Sequence, residues 1–184
     1  MSKNNLTTLC IFLRGVMPTG KNRVPMAQLR EVLSDAGFVN VQTWIQSGNV
    51  VVDTDLTPKE VEALIHKLIK NQIGADLTVV VRTREQLQQV IDNNPFGKGF
   101  DISRVFFTLF AEAPAVEKAE ELMGVDFKEE KLMVKGDAAY MYIPGNAARS
   151  KLSNNMLEKR LGVAATSRNY NTMRKMIELS SRRP

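Results

Sequence analysis

Apolar positions along the first hundred residues switch between two periods. Thr7 to Leu13 is a short apolar run of strand length, TTLCIFL. From Pro25, the residues Met26, Leu29, Val32, Leu33 and Ala36 fall on one helical stripe, and Gly37 stops it. Val41 to Ile45 and Val50 to Val52 read as short strands around the turn Gln46-Ser47-Gly48-Asn49. Thr57-Pro58-Lys59-Glu60 carries a helix-start signature: a threonine cap, a proline in the first turn and a glutamate reaching back. That helix is expected to run to about Asn71, carrying Val61, Leu64, Ile65, Leu68 and Ile69. Leu77 to Arg82 is a further β-branched strand. A helix with Leu87, Val90 and Ile91 follows, ended by Asn94-Pro95-Phe96-Gly97.

The second half repeats this order. Arg104 to Phe110 reads as a strand and Pro114 to Met123 as a helix carrying Val116, Ala119 and Leu122. Phe127 to Val134 and Ala139 to Ile143 form a hairpin around Lys135-Gly136-Asp137. Ser150 to Leu161 reads as a helix, Ala164 to Ser167 as a short strand, and a last helix carries Met173, Met176 and Ile177. Each half is thus β-α-β-β-α-β plus a helix. The expected fold is α+β, two tandem ferredoxin-like units, each followed by an extra helix. The expected units are residues 1–97 and 98–184. The junctions Val81-Arg82-Thr83-Arg84 and Thr166-Ser167-Arg168-Asn169 look alike and suggest duplication at the level of fold.

Composition narrows the chemistry. With 184 residues and 43% apolar content the chain can bury a real core. No apolar run reaches the roughly 18 residues of a membrane helix. The polar start Met1-Ser2-Lys3-Asn4-Asn5 lacks a signal-peptide core, so a cytoplasmic location is expected. One cysteine, Cys10, and one histidine, His66, leave no disulfide framework and no Cys/His zinc site, and no metal or cofactor is expected. Cys10 reads as a small core residue, and His66, off the apolar stripe of its helix, as solvated. The net charge of +5 permits an acidic partner without requiring one, and part of the excess sits in Arg182-Arg183.

The stretch Gly15-Val16-Met17-Pro18-Thr19-Gly20-Lys21-Asn22 has P-loop spacing, but three features oppose a nucleotide loop. Asn22 replaces the magnesium-binding hydroxyl, Pro18 removes a backbone donor, and the helix starts only at Pro25. Lys135 to Tyr142 partly matches the third strand of the RNA-recognition fold. Asp137 and Ala139 stand where the base-stacking aromatics belong, and Tyr140 with Tyr142 are expected to pack beneath the extra helix. The acid pairs Asp53/Asp55 and Glu129/Glu130 lie in a turn and on opposite strand faces, so neither makes an acid–base couple.

Polar loop residues remain. In a β-α-β-β-α-β unit, strands one and two run the same way, so the loop after the first and the hairpin after the second share one end. That groups Arg14, Lys21, Asn22 and Arg23 with Gln46, Ser47 and Asn49. In the second half the loop before the second helix and the end of the last strand share the opposite end, which groups Arg149, Ser150 and Lys151 with Arg168 and Asn169, with Ser150 and Asn169 at helix starts that attract anions or serve as plain caps.

The run LRGVMPTGKNRVPMAQLREVLSDAGFVNVQTWIQSGNVV closely resembles the opening signature of a bacterial family called domain of unknown function 1697. The resemblance continues at VRTREQLQQVIDNNPF and SKLSNNMLEKRLGVAATSRNYNTMRKM. It implies tandem ferredoxin-like units and supplies no activity. Met17-Pro18-Thr19, Trp44 and Tyr170 depart from the usual family residues.

The functional expectation is a protein binding an anionic or polar ligand in a loop-lined cleft. Arg14, Lys21, Asn22, Gln46, Ser47 and Asn49 would form one half-site; Ser150, Lys151, Arg168 and Asn169 would form the other. The alternatives are a nucleic-acid-binding module and, below it, an enzyme using Lys21 or Lys151 as a base. No membrane partner is expected.

Overall fold

The computed structural model describes residues 6–181, which leaves Arg182-Arg183 and the first five residues outside the description. The fold is α+β, with two four-stranded antiparallel sheets and six α-helices among the described residues. The chain divides into two compact units. The first takes the residues up to Leu87 together with those from Lys175 onward; the second is Gln88–Arg174. These bounds divide each trailing helix, whereas the expected units, 1–97 and 98–184, keep each one whole.

In the first unit β1 (Thr7–Leu13), α1 (Met26–Asp35), β2 (Val39–Trp44), β3 (Asn49–Thr54), α2 (Pro58–Leu68) and β4 (Val79–Thr83) follow in that order. The sheet order is β2-β3-β1-β4, with every neighbour antiparallel. β1 and β2 therefore point the same way, and the segments that leave them emerge at one end of the sheet. Leu9, Ile11 and Leu13 alternate onto one face with Val50, Val52, Val79 and Val81. There they meet Leu29 and Leu33 of α1 and Val61 and Ile65 of α2. The intervening residues Cys10, Phe12, Val51 and Val80 are also buried. Cys10 Sγ donates toward the Met176 carbonyl at 3.8 Å, which ties the second face to the last helix. Burial on both faces explains why β1 and β3 read as continuous apolar runs rather than as alternation.

The α2 cap is the expected capping box, with Thr57 accepting from the Glu60 amide and Glu60 accepting from the Thr57 amide. The helix ends in one π turn, Ile69–Ile73, closed by Gly74 at φ 89. His66 lies on its surface 2.7 Å from Asp76. Hydrogen bonds from Lys70 and His66 hold the Asp76 carboxyl below its ordinary value.

α3 (Arg84–Asp92) leads to the second sheet, built of β5 (Val105–Phe110), α4 (Val116–Met123), β6 (Lys131–Lys135), β7 (Ala138–Tyr142), α5 (Asn154–Leu161) and β8 (Ala165–Asn169). The sheet order is β6-β7-β5-β8, and α6 (Tyr170–Ser181) follows. Phe110, Ala139, Met141 and Ala165 pack with Leu122 of α4 and Leu157 and Leu161 of α5. On the other face Tyr140 meets Phe107 edge-on with 5.8 Å between ring centroids. Its hydroxyl donates to the Val90 carbonyl of α3 at 2.8 Å. The helix that Tyr140 meets is α3, which trails the first sheet, and Tyr142 lies against Phe96 and Phe100.

Two local readings change. Asn49 belongs to β3 rather than to the turn, because it pairs with both Trp44 and Phe12. The helix expected from Ser150 starts at Asn154, capped by Ser153, because buried Leu152 precedes the cap and Ala147–Arg149 forms a separate 3-10 turn. The similar junctions also align one residue differently. Thr83 accepts from Gln86 N at the start of α3, as Asn169 accepts from Thr172 N at the start of α6. The equivalent pairs are thus Arg82-Thr83 and Arg168-Asn169. Each arginine donates Nη1 to the carbonyl before it, at 2.9 Å in both cases.

Tyr140→Phe removes a buried hydroxyl and leaves the Val90 carbonyl without that donor. The expected loss is about 1–2 kcal/mol in urea unfolding. Burial pushes the Tyr140 hydroxyl up to about 12. Its contribution is complete below the ordinary tyrosine value near 10 and is lost as pH rises through about 12, which tyrosinate absorbance will follow.

Candidate functional site

The first unit places the β1–α1 loop against the β2–β3 turn. Leu13 N–H donates to the Gly48 carbonyl at 2.8 Å, and Arg14 N–H donates to the Thr78 carbonyl at 3.0 Å. Gly48 has φ +79, and a Cβ built on it would stand 2.6 Å from Leu13 Cβ and 2.8 Å from Val16 Cγ2. Only glycine combines that backbone angle with so close an approach. Asn49, fully buried, donates its amide to the Trp44 carbonyl at 3.1 Å and to Ser47 Oγ at 2.9 Å. These bonds span the turn and hold Ile45 at φ 50, an uncommon setting for a β-branched residue. The loop is pinned separately: Met17 N–H donates to the Asn22 carbonyl and Arg23 N–H to the Gly20 carbonyl.

Between loop and turn lies an open groove of about 700 Å³. Val16, Met17, Pro18 and Arg23 form one wall, and Ile45, Gln46 and Ser47 the other. Val24, Pro25, Met26 and Ala27 complete it at the start of α1, where Pro25 stands at the N-cap and provides no side-chain cap. Arg23 is the one charged side chain among the described residues that line it. The lips are apolar and exposed, with Met17 54% and Ile45 52% accessible.

The expected residues of this half are therefore near one another but differ in role. Gln46 and Ser47 line the groove. Lys21 is exposed on the same loop and Asn22 is half-buried, but neither lines the groove. Arg14 stands at the end of β1, outside the lining, and Asn49 shapes the turn from inside the sheet. Arg23, grouped with these residues in the sequence but left out of the expected half-site, is the cation that does line it. The signal was its place two residues before Pro25, where the loop turns into the helix.

The second half does not gather in one groove. Arg149 and Lys151 line a groove of about 460 Å³ with Asp126 to Glu130, the segment that precedes edge strand β6. Ser150 Oγ accepts from the Leu152 amide in a local turn. Arg168 and Asn169 stand on β8, the opposite edge strand of the sheet. Arg168 donates to Thr166 Oγ1 at 2.6 Å, and burial pushes its guanidinium down to about 10. Asn169 is an N-cap. Among the described residues, no three His, Cys, Asp or Glu side chains cluster so as to hold a metal ion, and no helix is long and apolar enough to cross a membrane.

Two antiparallel sheets in one α+β chain, with a short groove on the first, define the class of protein. The chain belongs to the family described as "Protein of unknown function (DUF1697)", whose match spans residues 6–140. It is also similar to a solved structure, a conserved bacterial protein, SP0830, from Streptococcus pneumoniae. The two share 20% identity at a TM-score of 0.71, over 95% of this chain and 99% of the other, a likeness of fold. No curated protein matches the chain. The family match includes the whole groove and ends before Ser150, Lys151, Arg168 and Asn169.

Gly48→Ala forces both a strained backbone angle and a clash with Leu13. An expected loss of about 2–4 kcal/mol in chemical denaturation follows. Ile45→Asn places a residue that tolerates positive φ in an exposed turn, and stability is expected to stay equal or rise by up to about 1 kcal/mol.

Proposed function

We propose that each unit is a ferredoxin-like fold and that the first binds a small anionic or polar ligand in the groove between the β1–α1 loop and the β2–β3 turn. The observation that carries this reading is the placement of Arg23, Gln46 and Ser47 around one concave surface of ligand-binding size. Arg23 supplies charge, while Gln46 and Ser47 supply hydrogen bonds that orient the ligand. Lys21, exposed on the same loop, adds a second cation at the approach.

The nucleic-acid alternative draws less support. Single-stranded RNA is read on an open sheet face by exposed aromatics. Here Phe12, Phe107 and Tyr140 on the corresponding faces are buried. A lysine base is weaker still, since Lys21 is exposed and Lys151 lines a groove with Glu129 and Glu130.

The test is an amide-shift titration of the labelled full chain with inorganic phosphate, short carboxylates and nucleoside monophosphates. Perturbations confined to residues 16–27 and 45–47, and reduced at least tenfold in apparent affinity by Arg23→Ala, are expected. Shifts centred on residues 126–130 and 149–151, or none anywhere, would sink the reading.

A further inference from the structure

The groove carries more than a charge. Around its single guanidinium stand Val16, Met17, Pro18, Val24 and Ile45, all apolar. Met17 and Ile45 leave more than half of their surface exposed on facing lips, although apolar side chains gain by burial. Ile45 is also fixed there by a backbone angle that β-branched residues avoid, in a turn spanned by Asn49. A site for a nucleoside polyphosphate would need several cations or a glycine-rich nest, and this lining has one cation and two prolines.

Resting on the binding reading above, we propose that the occupant is a small amphipathic anion: one carboxylate or phosphate head paired with Arg23, and an apolar body closed between Met17 and Ile45. One positive charge matches one anionic head, and about 700 Å³ falls within the range of small-molecule sites. Gln46 and Ser47 then hydrogen-bond the head beside Arg23. Met17 and Ile45 set specificity by covering the body, and the exposed lips lose their contact with water when the ligand enters.

The test uses the full chain and four probes: octanoate, octyl phosphate, 1-octanol and inorganic phosphate. Binding is read by calorimetry and by the emission of Trp44, the single tryptophan, which is adjacent to Ile45. Octanoate and octyl phosphate should bind, with 1-octanol and inorganic phosphate at least tenfold weaker. Arg23→Ala should weaken both anions about tenfold or more, as expected for loss of a charged hydrogen bond. Ile45→Asn should weaken them several-fold while the unfolding midpoint is held or raised, which separates loss of contact from loss of fold. Inorganic phosphate binding as tightly as octyl phosphate would overturn the amphipathic assignment and leave the anion site standing. Octanol binding as tightly as octanoate would overturn the assignment of charge to Arg23. Failure of all four probes, together with no groove shifts in the wider anion titration, would remove the binding reading itself. Failure of the octyl probes alone would remove only this inference.

Discussion

The close approach of Gly48 to Leu13 is the constraint on which the first unit's loop architecture rests. A missing Cβ lets the β2–β3 turn lie against the end of β1, and the Leu13 N–H to Gly48 carbonyl bond fastens it there. Because β1 and β2 point the same way, this one contact brings two segments far apart in sequence to a common edge. The β1–α1 loop, closed by its own Met17–Asn22 and Gly20–Arg23 bonds, then has a fixed wall to face. The groove is a consequence of that fastening. Its position follows from sheet topology, and its width follows from the side chains that glycine leaves room for.

Asn49 converts this contact into a defined turn. Buried in β3 and hydrogen-bonded to Trp44 and Ser47, it spends its amide on the backbone and side chain of the turn it follows. A buried amide so satisfied costs little, whereas an unsatisfied one would cost on the order of a kcal/mol or more. The same bonds hold Ile45 outward in a conformation it would not choose alone. Local strain and an exposed apolar side chain thus have one origin, the geometry of Gln46 to Asn49.

Much of the fold was legible because its signals are local. Thr57 and Glu60 announce the α2 cap, Gly37 ends α1, and the order of strands and helices follows from periodicity. The Gly15–Asn22 stretch was legible as something other than a P-loop for the same reason: Pro25 delays the helix. What was hidden depends on the third dimension. Asn49 looks like a turn residue in sequence, and only its pairing with Phe12 and Trp44 shows it to be a strand residue. Arg23 looked like one of several loop cations, and only the curvature of the loop sets it in the groove while Arg14 stays at the strand end. Ser150 and Asn169 both resembled helix caps, but only Asn169 is one, because Leu152 draws the chain into the core before Ser153 starts α5.

The two units repeat a frame without repeating the groove, and the reason is loop length. Arg82-Thr83 and Arg168-Asn169 occupy the same register at the same junction, each with an arginine folded back on its strand and a cap beginning a helix. Each pair ends a strand and begins a helix within its own half. The connections differ. Residues 14–25 separate β1 from α1, whereas only 111–115 separate β5 from α4, and the β6–β7 hairpin closes through Gly136-Asp137 alone. At the equivalent end of the second sheet both the turn and the first loop are short. Of the second half's polar residues, Arg149 and Lys151 line a separate groove with Asp126, Lys128, Glu129 and Glu130. Of these two grooves, the larger lies in the half whose first loop is long enough to bend back over the turn that Gly48 admits.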